Sequence, residues 1–284
     1  MSHDATTFEV VAREICVARK LAFGSLVGSG AFKHTFQVTK GDGVQLALKV
    51  YKADSERTAR EVSAITRCNH ENIAKFHELG NWTTAATSYT FSIEEFLAGG
   101  TLSGRLTAGA LDATALANLA RSLAAAVEHM AGLNLVHRDI KPDNIMFRTA
   151  AGPLVLVDFG IVRDLKESSM TQTWAMRGPG SPYFAAPEQL NNDKDLIDWR
   201  TDQFGLGVVV TIAATGSHPY ASALGGNDPM TVIDRVANRV GPASWFTDWA
   251  KGARMTWLVR ALSPWPVSRF TKPADLLAVL AGEI

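Results

Sequence analysis

The 284-residue chain sets 28 Lys and Arg against 28 Asp and Glu, a formal net charge of zero, with 46% hydrophobic and 20% charged residues. That length supports one large domain or two lobes around a substantial core, and the even balance gives no indication of a nucleic-acid or anionic-membrane partner. Cys16 and Cys68 lie far apart without metal-type spacing, residues 1–4 carry no signal pattern, and the longest apolar run, 204–214, is too short for a bilayer and reads as a buried helix, so a reducing, cytoplasmic setting without a membrane segment is expected.

Phe8, Val11, Ile15 and Ala18 fall near helical spacing and predict an amphipathic helix over 6–20, an extension packed on the back of the main domain. The stretch from Leu26 through Val27, Gly28, Ser29 and Gly30 to Lys33, Thr35 and Phe36 places paired glycines between strand-like residues. Such a turn lets backbone N–H groups approach phosphates. After the turn Lys40-Gly41-Asp42-Gly43, residues 44–51 alternate as a half-buried strand with Ala47 and Lys49 on one face. A small residue there can lie against a flat base while the lysine reaches phosphates. Asp54 or Ser55 caps a helix running to about Arg67, with Glu61 assigned as the ion-pair partner of Lys49; Glu56 with Arg60 is the competing surface pair. Residues 91–102 read as a strand ending in a Gly-rich connector, and 112–134 as a long Ala- and Leu-rich helix.

That helix leads into His137-Arg138-Asp139-Ile140-Lys141-Pro142-Asp143-Asn144. The stretch combines an acid able to accept a hydroxyl proton, a cation for migrating phosphate charge, and an amide oxygen for a metal ion, the requirements of phosphoryl transfer. Asp143 and Pro142 shape the turn. A short buried strand at 154–157 ends at Asp158-Phe159-Gly160, whose acid can bridge phosphates through Mg²⁺. Ser168, Ser169, Thr171 and Thr173 precede Gly180-Ser181-Pro182-Tyr183-Phe184-Ala185-Ala186-Pro187-Glu188.

In this order and spacing the motifs resemble the catalytic domain of eukaryotic-type protein kinases, serine/threonine branch, over about 21–277. The resemblance implies an α+β, two-lobed protein-kinase-like fold: an antiparallel β N-lobe over about 21–97 with one key helix, and a mainly α-helical C-lobe over about 98–284. It implies ATP and Mg²⁺, with Mn²⁺ as an alternative ion, and a protein substrate presenting Ser or Thr. Asp139 then acts on the hydroxyl and Lys141 on the transferred group. Lys49, held by Glu61, meets the α/β-phosphates, and Asn144 and Asp158 hold the metal. Val27, Gly28, Gly30, Thr35, Ala47, Met146 and the backbone of Glu95 and Leu97 form the nucleotide site. Ser181 positions substrate, Arg269 pairs with Glu188, and a column of Phe76, Ile65, Phe159 and His137 rests on Asp202.

The sequence departs from the family pattern at Lys33, where a third glycine is usual, at Thr35, where valine is usual, and at Glu94, whose carboxylate at the back of the pocket is costly unless paired. The loop hydroxyls, Thr173 first and then Thr171, are expected phosphorylation sites whose phosphate can pair with Arg138. Two other classes share parts of the pattern, a small-molecule phosphotransferase and a pseudokinase scaffold. The 180–188 segment with Lys141 argues against the first, and intact Lys49, Glu61, Asp139, Asn144 and Asp158 against the second. Nothing in the sequence speaks to oligomeric state.

Overall fold

A helix at the start of the chain and a sheet after it share one apolar core. The computed structural model describes residues 3–30, 33–51, 66–85, 87–158, 163–164 and 182–283. It divides into two units, Met1–Asn69 with Ala74–Ala98, and His70–Ile73 with Gly99–Ile284.

In the first unit, α1 (His3–Arg19) precedes β1 (Ala22–Ser29), β2 (Lys33–Thr39), β3 (Gln45–Tyr51), β4 (Phe76–Thr83) and β5 (Ser88–Glu95). The strands form an antiparallel sheet in the order β1-β2-β3-β5-β4. Alternation along β2, β3 and β5 sends Phe36, Val38, Leu46, Leu48, Val50, Phe91 and Ile93 to one face, where Phe8, Val11, Ala12, Ile15 and Cys16 of α1 cover them. The helix expected over 6–20 is therefore present and packed as expected. Its polar side is tied down by Arg19 to Glu78 at 2.6 Å and by Trp82 Nε1, which donates to Glu14 at 2.8 Å. The β2–β3 turn closes at Gly43, whose φ of 85° suits glycine, while Asp42 accepts from Val44 N–H. Cys16 and Cys68 are both buried, and burial pushes each thiol up to about 11. The helix expected from Asp54 lies outside the described residues except at its end.

The second unit contains α2 (Leu102–Leu106), α3 (Ala113–Gly132), β6 (Leu135–Val136), β7 (Ile145–Phe147), β8 (Leu154–Leu156), β9 (Arg163–Asp164), α4 (Pro187–Leu190), α5 (Trp199–Thr215), α6 (Pro229–Ala237), α7 (Ser244–Gly252), α8 (Trp257–Ala261) and α9 (Pro273–Glu283). Asp112 caps α3 by accepting from Ala115 N–H at 2.8 Å. Leu116, Leu119, Leu123, Val127 and Met130 then form its buried stripe. The apolar run at 204–214 lies in α5, which is buried along most of its length. α5 ends at Gly216, whose φ of 70° is left-handed and whose N–H closes on Ile212. A Cβ at Gly205 would meet Ile140 Cβ at 3.3 Å, so glycine there lets α5 approach the loop after β6. The antiparallel sheet of the first unit and the helical second unit are the two-lobed α+β fold anticipated from the sequence.

Candidate active site

Strand register brings the candidate residues of the first unit together. Gly28 pairs with Thr35, Thr35 with Lys49 and Lys49 with Ser92, while Ala47 pairs with Glu94. Cross-strand partners share a face, so these residues lie together on the side of the sheet opposite α1. Val27 is the extra residue where β1 advances from Leu26 to Gly28 while β2 advances by one, a bulge that leaves it exposed. A Cβ on Gly28 would meet Thr35 Cβ at 3.5 Å and one on Gly30 would meet Lys33 O at 3.7 Å, both ordinary contacts. The fold itself therefore does not demand glycine at either position, and close approach by a ligand is the remaining physical reason for it.

Lys49 Nζ lies 2.6 Å from Glu94 Oε2, with side-chain exposures of 10% and 4%. Glu94 Oε1 accepts from Ser92 Oγ at 2.8 Å, and Ser92 Oγ is 3.2 Å from Tyr51 OH. Glu61, the expected partner of Lys49, lies outside the described residues. Glu94, the costly carboxylate at the back of the pocket, has Lys49 as its partner. At the end of β5, Glu95 N–H donates to Lys75 O at 2.8 Å, and Leu97 is buried.

The second unit carries the chemical groups. Asp139 Oδ2 accepts from Lys141 Nζ at 3.0 Å and from Asn144 Nδ2 at 2.9 Å. Asn144 Nδ2 also donates to the Asp139 carbonyl at 2.8 Å. Those bonds fix the amide orientation and turn Oδ1 away as the oxygen available to a cation. The Asn144 carbonyl accepts from Val157 N–H at 2.9 Å, which places Asp158 next along the chain from that contact. Asn144 Oδ1 and the Asp158 carboxylate are hard oxygen donors of the kind Mg²⁺ takes beside phosphate oxygens and water, so the residues fit a divalent ion. Met146, on β7, pairs with Val155 of β8.

The loop is held from behind. Asp202, in the first turn of α5, accepts from His137 N–H at 2.7 Å and Arg138 N–H at 2.8 Å. Burial pushes its carboxyl up to about 7 against those two bonds, which favour the charged form. His137 Nε2 donates to Val157 O at 3.2 Å, and its Nδ1 accepts from Asp139 N–H at 3.3 Å. Arg138 and Asp158 take left-handed φ values of 68° and 69°. Such conformations cost about 1–3 kcal/mol each and persist where surrounding bonds over-determine them. Of the expected column, His137 and Asp202 meet in this way, while Ile65 and Phe159 lie outside the described residues.

Glu188 and Arg269 form the expected pair, doubly bonded at 2.7 and 3.0 Å with no exposure on either side chain. Sequence reasoning missed Gln189. Its Nε2 donates to the Arg138 carbonyl at 2.8 Å and its Oε1 accepts from Ala186 N–H at 3.1 Å, joining the loop to α4. The only signal was a polar residue at a position that folds to be buried. Phe159, Gly160, Thr171, Thr173 and Ser181 lie outside the described residues.

Residues 21–250 match the protein kinase domain family. The chain is 27% identical over 209 residues to the serine/threonine-protein kinase ATG1a of Arabidopsis thaliana, covering 70% of this chain and 32% of that protein. It is 29% identical over 208 residues to myosin light chain kinase A of Dictyostelium discoideum, covering 70% and 67%. It is 30% identical over 196 residues to the serine/threonine-protein kinase PknB of Mycobacterium leprae, covering 66% and 30%. The matched part is thus about a third of the length of the first and last of these relatives.

Proposed function

This chain belongs to the protein kinase family, and we propose that it transfers the γ-phosphate of ATP to a serine or threonine hydroxyl of a protein. The observation that carries this reading is the Asp139 carboxylate gripped through one oxygen by Lys141 and Asn144. That grip orients the other oxygen toward an incoming hydroxyl, whose proton it accepts as the oxygen attacks phosphorus. Lys141 stands where charge builds on the transferred group. Lys49 meets the α/β-phosphates above Gly28 and Gly30, with Val27, Thr35, Ala47, Met146, Glu95 and Leu97 around the base and sugar. Asn144 and Asp158 would hold Mg²⁺, or Mn²⁺ in its place, which when bound neutralises phosphate charge. Ser181 is the proposed contact to the substrate segment. The setting proposed is cytosolic, which suits two buried thiols.

Incubation with labelled ATP, Mg²⁺ and generic protein substrates tests the reading. Label in protein Ser or Thr is the expected result. Label only in small molecules, or nucleotide binding without transfer, would overturn it in favour of the two other classes.

Phosphorylation at Thr173 or Thr171 is proposed to raise activity. A phosphate brings nearly two negative charges to the neighbourhood of a catalytic loop that carries Arg138, and such pairing orders loose segments. Phosphatase treatment should slow the first turnovers, and mass spectrometry should locate the lost phosphate at these positions. A fully dephosphorylated enzyme at full initial rate would refute the switch.

A further inference from the structure

We propose that Glu94 is a positioning residue for Lys49, so that the phosphate-binding lysine is anchored from within the sheet. This rests on the reading of Lys49 as the lysine that meets ATP. The anchor is a built arrangement. β3 and β5 are adjacent strands, Ala47 faces Glu94 and Lys49 faces Ser92. Glu94 is thus the diagonal neighbour of Lys49 on one face, within reach of a long side chain. The ion pair is 2.6 Å long and almost wholly buried. The second carboxylate oxygen is not idle, since Ser92 Oγ donates to it at 2.8 Å, with Tyr51 OH next in the chain at 3.2 Å. A carboxylate held at both oxygens has little freedom to rotate, and it passes that restriction to the ammonium.

The chemistry allows holding and phosphate binding together. An ammonium has three donors. One is spent on Glu94 Oε2, which leaves two for phosphate oxygens. The pair also accounts for a glutamate in a strand position that would otherwise be apolar. Buried alone, either charge would be strongly unfavourable, and together they are tolerated in a fixed geometry. Because both partners sit on hydrogen-bonded strands of one unit, the lysine's placement follows from sheet register.

The test compares Glu94→Gln, Ser92→Ala and Lys49→Met in the full chain, with kcat and KM for ATP measured separately, Mg·ATP affinity measured by calorimetry, and melting followed in parallel. Glu94→Gln keeps the shape and removes the charge. It should lower kcat/KM for ATP by about 10²-fold, the scale of a misplaced catalytic contact, with KM for the protein substrate unchanged. Added to Lys49→Met it should have no further effect, the non-additivity of groups acting as a unit. Ser92→Ala, which keeps both charges and frees one carboxylate oxygen, should give a smaller loss of the same kind and serves if Glu94→Gln does not fold. A Glu94→Gln enzyme at parental kcat/KM overturns the proposal. So does one faster than the parent, which would make Glu94 a competitor for the lysine. If the parent shows no transfer at all, the kinase reading fails, while ATP affinity in Glu94→Gln against the parent still decides the placement of Lys49.

Discussion

At the scale of single residues, the site is a set of side chains each fixed by a neighbour. Asp139 has Lys141 and Asn144 on one oxygen, and its backbone N–H rests on His137. Asp139→Asn keeps the size but removes the charge and the proton acceptor, and it sets one amide against the Asn144 amide. Transfer should fall by about 10²–10⁴-fold, with ATP affinity nearly intact, measurable as a rate assay beside calorimetry. Near-normal turnover would remove Asp139 from its assigned role. The trio was legible in the sequence because its members lie within a few residues of one another, so one loop conformation brings them together. The Lys49–Glu94 pair was not. Its members are 45 residues apart, and only the register between β3 and β5 makes them neighbours. Shifting one strand by a single residue would put them on opposite faces. A sequence pattern shows that Glu94 is out of place but cannot show what it faces.

At the scale of elements, α1 lies before the family match yet contributes a large part of the first unit's core. Its apolar spacing was readable because a helix on a sheet needs one apolar stripe. Ile15 is fully buried there, so Ile15→Ala should destabilise the unit by about 2–5 kcal/mol, seen as a lower denaturation midpoint with an unchanged slope. The turn after α5 offers a pH test. His218 is buried against Tyr183, and its Nδ1 accepts from Tyr220 N–H at 3.1 Å. Burial lowers its pKa from 6.5 to about 3. The unfolded chain binds a proton there below pH 6.5 and the folded chain does not, so this contribution to stability is present above 6.5 and lost as pH falls toward 3. Asp202, raised to about 7, acts with the opposite sign over part of that window. The comparison that isolates His218 is therefore between parent and His218→Asn, which keeps an acceptor for Tyr220 N–H. The variant's melting temperature should fall less steeply than the parent's between pH 6.5 and 4. Parallel curves would show that His218 is not held neutral.

At the scale of the whole molecule, the groups assigned to the hydroxyl, Asp139 and Lys141, both belong to the second unit. The second unit is closed by residues near the end of the chain. Arg269 reaches Glu188 across 81 residues, and Gln203 exchanges reciprocal bonds with the Phe270 backbone at 3.1 and 3.0 Å. This makes the order of synthesis matter. Until residue 269 has left the ribosome, Glu188 lacks the cation it is buried against in the finished fold, and α5 lacks the strap that covers Gln203. The nascent second unit must therefore wait for its last stretch before it can finish folding. A chain stopped at residue 250, where the family match ends, would keep the whole catalytic loop yet lack Arg269 and never reach that point. Expressed beside the full chain, it should be recovered mainly in the insoluble or degraded fraction, and a chain carried through to residue 283 should not.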